Sequence, residues 1–396
     1  MTDQIVVTGI AELYTPFERI PDAAMAIDDG RVAWVGPKSD LPTRYAAWPL
    51  EDLGGRGVLP GLVDSHTHTV WAGTRIDEYA MRSRGAGYEE LMAAGGGIHA
   101  TTEATQQASE DELVALAQAR LEGFLSRGLT TVEVKSGYGM EREDELKMLR
   151  AIRRLADNGP QRVVPTFLAH LIPPTWDRDD YVAMVVEELI PEVADGDWAE
   201  AVDVFCDRGA YTLDEARRVL ETGLDQGLAV KAHTEQLSRN GATQIVAELG
   251  GLSADHLEKA TDDDWQALAE SGTVGTILPG AALLLTRSLP DARAMWDAGV
   301  KVAVATDHNP GSSPFYSLPL ALQLASALGG LSVEEALIAG TAHTADALGK
   351  PALGRLEPGA HADFLVTEGS HALEPFYRWG EVPLERVYVA GQPVWP

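Results

Sequence analysis

A chain of 396 residues, 45% hydrophobic and 23% charged, is long enough for one large domain plus a smaller one and has the composition of a soluble globular protein. A net charge of −29 argues against nucleic-acid binding, which depends on Lys and Arg neutralising phosphates. One cysteine, Cys206, excludes an internal disulfide framework and any cysteine cluster, no apolar run is long enough for a membrane span, and the first residues carry no secretory signal, so a cytoplasmic protein is expected.

Residues 1–58 read as short strands and turns. Ile5–Gly9 is a strand, and Ala24–Ile27 and Arg31–Gly36 flank an Asp29-Gly30 turn as a hairpin. From residue 59 the pattern changes to strands alternating with helices. Strands are predicted at Gly61–His66, Thr130–Lys135, Arg162–Leu168, Ala201–Cys206, Ala229–His233, Leu252–His256, Thr273–Ile277 and Val302–Thr306. Several are too apolar to alternate, as strands buried on both faces are. Amphipathic helices are predicted at Glu112–Leu125, Glu141–Ala156, Leu213–Gln226 and Asp262–Glu270. Eight strands with helices between them predict an α/β protein of the (β/α)8 TIM-barrel type rather than a doubly wound sheet. Gly95-Gly96-Gly97 follows a helical stretch instead of a strand, so it reads as a loop able to close as a lid and not as a dinucleotide turn. From residue 351, Gly359–Val366 and Val387–Val394 return to strand and turn. A small β-sandwich domain built from residues 1–58 and 351–396 is therefore expected to flank a barrel of residues 59–350.

Five of the ten histidines end predicted strands: His66, His68, His170, His233 and His256. Barrel active sites occupy that C-terminal face. In His66-Thr67-His68 the imidazoles lie two apart on a strand and point to the same side, so both can reach one metal ion. The pair alone fits a buried histidine couple equally well, because a metal site needs three or four ligands. His233 ends the fifth strand and Asp307 follows the eighth, and the full set fits a hydrolytic Zn²⁺ or Fe²⁺ site with a water in an open position.

The strings Leu59–His68, Ala72–Arg75, Glu133–Gly139, Asp255–Glu258 and Thr306–Ser313 resemble the amidohydrolase superfamily, which carries H-x-H on strand 1, His on strands 5 and 6 and Asp on strand 8. They are most similar to its branch acting on the imidazolone ring formed in histidine degradation, and the resemblance runs over nearly the whole chain. It implies His66, His68, His233 and Asp307 as metal ligands and one divalent or trivalent ion per chain, Zn or Fe. It also implies a homodimer, and hydrolysis of 4-imidazolone-5-propanoate to N-formimidoyl-glutamate. A lysine that bridges two metals in some relatives lies on their strand 4, where this chain has Val204–Asp207. Lys135 is on strand 2, so one metal is expected.

The remaining roles follow from residue chemistry and this resemblance. His256 is a candidate for orienting water or moving a proton, and Asp307 for taking the proton of the water. His170 is expected to contact substrate and to stabilise charge on the ring oxygen, or else to pack in its loop. Arg75 is expected to hold the propanoate of a small anionic substrate, with pairing to Asp77 or Glu78 as the alternative and Arg82 and Arg84 as rivals. Tyr138 offers a phenol, and Tyr88 does so more weakly. Asn309, Gly311 and Ser312 either bind substrate or only form a turn. Gln236 stands where many mononuclear relatives carry a Glu three residues after the strand-5 His. It cannot take a proton, so it is expected to bind the ring through its amide while Glu235 points elsewhere. Two other classes remain open here: another mononuclear amidohydrolase such as an aminodeaminase, which would need that Glu and not Arg75, and a non-catalytic binding barrel.

Overall fold

Two β-sheets organise the chain, and the computed structural model describes residues 4–85 and 96–396. The first four strands are β1 (Ile5–Tyr14), β2 (Arg19–Asp28), β3 (Arg31–Pro37) and β4 (Leu50–Pro60). Eight more follow: β5 (Leu62–Asp64), β6 (Leu129–Lys135), β7 (Arg162–Ala169), β8 (Ala201–Phe205), β9 (Ala229–Thr234), β10 (Ser253–His256), β11 (Val274–Ile277) and β12 (Val302–Val304). The last three are β13 (Phe364–Thr367), β14 (Leu384–Val389) and β15 (Gln392–Trp395).

The termini combine as expected. One sheet runs β15-β14-β13-β4-β1-β2-β3, with β4 parallel to β1 and antiparallel to β13. The predicted hairpin joins β2 to β3. Its turn residues Asp29 and Gly30 have φ of 51° and 72°, the doubly positive pair that a twisted two-residue hairpin requires. Arg31 bridges His361, and Val32 N–H donates to Ala360 O at 2.9 Å, so edge strand β3 returns to the segment leading into β13. Val7, Met25, Val32, Val58, Phe364 and Tyr388 consequently share one core. The sandwich is a single sheet folded over its own apolar face.

Strands β5 to β12 pair in sequence order, every pair parallel. The helices pack outside them. Arg142–Asn158, for example, buries Leu146, Leu149, Ile152 and Leu155 on one face. Capping boxes such as Ser109 with Glu112, Thr212 with Glu215 and Ser332 with Glu335 start helices, satisfying backbone donors that would otherwise be unpaired. Closure is local. β5 and β12 lie at opposite ends of the sheet order. They are joined just beyond their ends, where Thr67 bridges His308 in parallel, Asp307 N–H donates to His66 O at 2.9 Å and His68 N–H donates to His308 O at 2.9 Å. Below that latch the Asp64 carboxylate accepts Thr306 N–H at 3.2 Å and the Thr306 hydroxyl at 2.6 Å, doing with a side chain what a backbone ladder does elsewhere.

Most strand ends shift by at most one residue, but two strands end two residues earlier than expected. His66 and Thr306 lie beyond β5 and β12. The backbone leaves extended geometry to make the latch, and Asp307 has a φ of 52°. No helix among the described residues is long and apolar enough to cross a membrane.

The barrel meets the terminal sheet at Asp363, which is 1% exposed. Its carboxylate accepts Arg162 Nε at 2.9 Å, Arg162 Nη2 at 3.3 Å and Ala390 N–H at 2.7 Å. Asp363→Ala leaves a guanidinium and a backbone donor without their partner, and should destabilise the fold by about 1–3 kcal/mol. Thermal unfolding checks this, and an unchanged midpoint would remove Asp363 as the joint.

Candidate metal centre and active site

His66, His68 and Asp307 bring one donor atom each within 4.8 Å of one another, and so do His66, His233 and His256, with His66 common to both groups. His66 Nδ1 donates to Asp255 Oδ2 at 2.7 Å, and His233 Nδ1 donates to Asp203 Oδ1 at 2.9 Å. A neutral imidazole that donates through Nδ1 keeps a free lone pair on Nε2. Both Nε2 atoms are buried and have no hydrogen-bond partner. Asp307 Oδ1 lies 3.5 Å from His66 Nε2 and 3.2 Å from His68 Nε2. A four-coordinate shell with bonds of about 2.0–2.1 Å separates its ligand atoms by roughly 3.4 Å, so the donors fit an ion of that size. His66, Asp203 and Asp255 also form a compact cluster, but its imidazole atom is the hydrogen-bonded Nδ1, which makes that cluster the support of the site and not a second one.

Charge favours the same state. Burial, then Lys135 and the neighbouring imidazoles, holds the His66 pKa well below the usual range, and burial lowers His233 despite Asp203. Both rings are therefore neutral, the state a metal ligand requires. Burial alone would raise Asp307, but His68, then His256 and His233, hold it below its ordinary value, so the carboxylate is ionised.

A buried ionic layer lies underneath. Lys135 Nζ contacts Asp203 Oδ2 at 2.6 Å and Glu133 Oε2 at 2.8 Å, and Lys231 Nζ contacts Glu133 Oε1 at 2.9 Å and Ser65 O at 2.8 Å. Lys231 on β9 and Glu133 on β6 are not neighbouring strands, so this contact crosses the barrel interior. Two lysines face three fully buried carboxylates, Glu133, Asp203 and Asp255. The negative excess is what a bound cation offsets.

His256 ends β10 with a φ of 84°, followed by Leu257 at 67°. Left-handed backbone at two successive non-glycine residues is strained, and such strain persists where a site requires a particular side-chain direction. Burial would lower the His256 pKa, but Glu258, whose Oε1 lies 3.6 Å from Nδ1, outweighs it together with Asp307 and Asp255, and the pKa rises. Asp64 is pushed up to about 7 by burial and serves the seam already described.

A cavity of about 470 Å³ opens over the ligands. His68, Tyr138, His170, Gln236, Arg75 and Ser312 line it. His170 Nδ1 lies 3.0 Å from Gly137 O, and a carbonyl only accepts, so Nδ1 carries the proton. Burial lowers the His170 pKa to about 3. The neutral ring presents an Nε2 acceptor, which can take an N–H from a ligand but cannot stabilise an oxyanion as the sequence suggested. The loop that carries Tyr138 is held by Glu145, whose oxygens accept Gly137 N–H at 2.8 Å and Met140 N–H at 2.7 Å. Burial, then Asp307, raises the Tyr138 pKa, so its phenol stays protonated.

The remaining expectations divide. Gln236 reaches the cavity. Glu235, at a φ of 46°, turns away, and its carboxylate accepts Gly241 N–H at 2.7 Å and the hydroxyl of Thr243 at the start of the helix Ala242–Glu248. Arg75 pairs with Glu78, as one of its readings had it, and also lines the cavity, so the ion pair does not remove it from the site. The Asn309 amide is occupied by its own turn: Oδ1 accepts Gly311 N–H at 2.9 Å and Ser312 N–H at 2.8 Å, and Nδ2 donates to Asp307 O at 2.7 Å. Asn309 therefore shapes the wall, and its side chain has little left for a ligand. Gly311 permits close approach, because a Cβ built there would collide with Arg75 Nη1. Arg84 is exposed at the end of its helix. Tyr88 and Gly95 lie outside the described residues, while Gly97 N–H donates to Glu78 Oε2 at 2.8 Å.

Asp203, Asp255 and Glu258 were not anticipated as supports. Asp203 had a readable signal, being the one acidic residue in the otherwise apolar strand Ala201–Phe205, whereas Asp255 sits among polar residues in Ser253–His256.

The Amidohydrolase family model matches residues 58–394. The imidazolonepropionase of Geobacillus kaustophilus (strain HTA426) is 45% identical over 383 residues, covering 95% of this chain and 90% of that protein. The imidazolonepropionase of Deinococcus radiodurans is 45% identical over 396 residues, covering 97% of this chain and 98% of that protein. Among solved structures, a zinc-bound adenosine deaminase from Xanthomonas campestris aligns with a TM-score of 0.70 at 19% identity, covering 98% of this chain and 92% of that one. Ochratoxinase from A. niger aligns with a TM-score of 0.69 at 19% identity, covering 100% and 96%. At such identities the likeness is one of fold alone.

Asp255→Asn keeps the shape of the His66 support and removes its charge. Metal affinity should fall about 10- to 100-fold, read by competition with a chromophoric chelator, with the circular dichroism of the fold retained. Unchanged affinity would show that Asp255 does not support the ligand.

Proposed function

This chain belongs to the amidohydrolase family, and we propose that it opens the ring of 4-imidazolone-5-propanoate by hydrolysis, giving N-formimidoyl-glutamate. The observation that carries this reading is one juxtaposition. The bare Nε2 of His66 stands 3.5 Å from Asp307 Oδ1, under a cavity whose wall holds His68, His233 and the guanidinium of Arg75.

His66, His68, His233 and Asp307 would hold a single Zn or Fe ion, which would supply Lewis acidity toward a water and the ring carbonyl. The reaction joins the water oxygen to the carbonyl carbon and breaks the ring C–N bond, and the departing nitrogen takes up a proton. Asp307, ionised beside the ligands, accepts the proton of the water. His256, kept protonatable by Glu258, delivers a proton to the nitrogen. His170 Nε2 accepts a ring N–H, and the amide of Gln236 bonds the ring polar edge. The Tyr138 phenol donates a hydrogen bond, and Arg75 receives the propanoate. Against a chain charge of −29, a dedicated guanidinium is what lets an anion settle in this cavity.

Loss of the imidazolone ultraviolet absorbance on adding metal-loaded protein tests the reaction, with elemental analysis expected to give one metal per chain. Intact absorbance, with substrate verified to survive the assay, rejects it. The proton assignment has its own test. Glu258 raises the His256 pKa, so Glu258→Gln should lower it and move the corresponding limb of the kcat/KM pH profile to lower pH. A limb that stays in place, or moves up, takes His256 out of the proton path.

A further inference from the structure

The helix Ile76–Ser83 begins directly after Arg75, so Arg75, Glu78 and Arg82, spaced by three and four, share one face. Glu78 is 7% exposed, and both of its oxygens are engaged. They accept Arg75 Nε and Nη2 at 2.7 Å each, Arg82 Nη2 at 2.5 Å and Gly97 N–H at 2.8 Å. Burial would raise the Glu78 pKa, but Arg75, Gly97 and Arg82 together hold it below its ordinary value, so it is ionised.

The two-pronged edge of Arg75 is thus occupied inside the protein. Its remaining nitrogen, Nη1, faces Gly311 at the cavity wall. A carboxylate has two oxygens, and Nη1 alone satisfies one of them. Arg82 lines the same cavity, and its side chain is 35% exposed. Its Nη1 is held only by Gly311 O at 3.3 Å, a long bond that a charged acceptor would displace. Two guanidinium charges against the single carboxylate of Glu78 leave a positive site for one further anion.

We propose that Arg82 is a second ligand of the substrate carboxylate beside Arg75, and that Glu78 is the positioning residue that holds the two guanidinium groups as a pair. This rests on the reading above that the substrate carries a propanoate. Glu78 touches no substrate, because its oxygens are already filled. It fixes the spacing of the two arginines and, through Gly97, ties them to the start of the helix Ile98–Gln107.

The test compares two stable probes, imidazole-4-propanoate and its carboxamide, by calorimetry on metal-loaded enzyme. Arg82→Met should weaken the propanoate about tenfold, the loss of one charge-assisted hydrogen bond, and leave the carboxamide within about twofold. Arg82→Lys should recover part of the loss. Glu78→Gln should raise KM for the imidazolone with kcat nearly unchanged, because a loosened pair weakens ground-state and transition-state binding alike. If Arg82→Met leaves the ratio of the two affinities at its wild-type value, or weakens both probes equally, Arg82 is not a carboxylate ligand. A fall in kcat with KM unchanged in Glu78→Gln overturns the positioning role. Should wild-type protein leave the imidazolone intact while the probes separate as stated, the reaction assignment fails and the two-arginine anion site stands.

Discussion

The Nδ1–H of His66 is held by Asp255 and that of His233 by Asp203, and most of the barrel interior follows from those two hydrogen bonds. A metal site needs neutral rings with exposed Nε2 lone pairs, and a carboxylate on Nδ1 is what fixes that tautomer. Carboxylates that deep need cations. Lys135 and Lys231 provide them, and Glu133 and Thr166 complete the arrangement. Space that most barrels fill with branched aliphatic side chains is therefore ionic here. Buried ion pairs add little net stability, since desolvation consumes most of the Coulomb gain. The apolar core lies instead between strands and helices, where Phe124, Leu149, Ile152 and Val202 belong to one cluster. The fold is held together outside the strands and tuned inside them.

Much of this architecture was legible beforehand. Several strands buried on both faces read as apolar runs, and the alternation of eight strand segments with helices led to the eight barrel strands within a residue or two. The candidate ligands stood out because His66, His68, His233 and Asp307 all fall at or just past strand ends. The supports were harder to see. Lys231 meets Glu133 across 98 residues of sequence, a pairing that exists only once the barrel closes. His170 shows the same limit at a single atom. Its residue type suggested a donor, and only the position of Gly137 O reveals that the proton lies on the other nitrogen. Asn309 reads as a binding amide until its turn is seen to consume both ends of it.

Arg75 and Glu78 carry a related lesson. The alternatives for Arg75, surface ion pair or substrate ligand, looked exclusive in one dimension. In three they are compatible, because a guanidinium has more than one edge. Glu78 occupies one edge and leaves the other toward Gly311. Pairing with a carboxylate thus orients an arginine without neutralising the site, provided a second arginine shares the load.

The seam between β5 and β12 bears on assembly. His66 and His68 lie on one side of it and Asp307 on the other, and the chain between them spans the rest of the barrel. An ion bound by all three is a rivet through the first and last staves. Its binding energy is then also ring-closure energy, and each process draws on the other through linkage. A chain with the ring sprung open would have its ligands on separate staves. Cation affinity in this protein is a measure of how nearly the cylinder is shut.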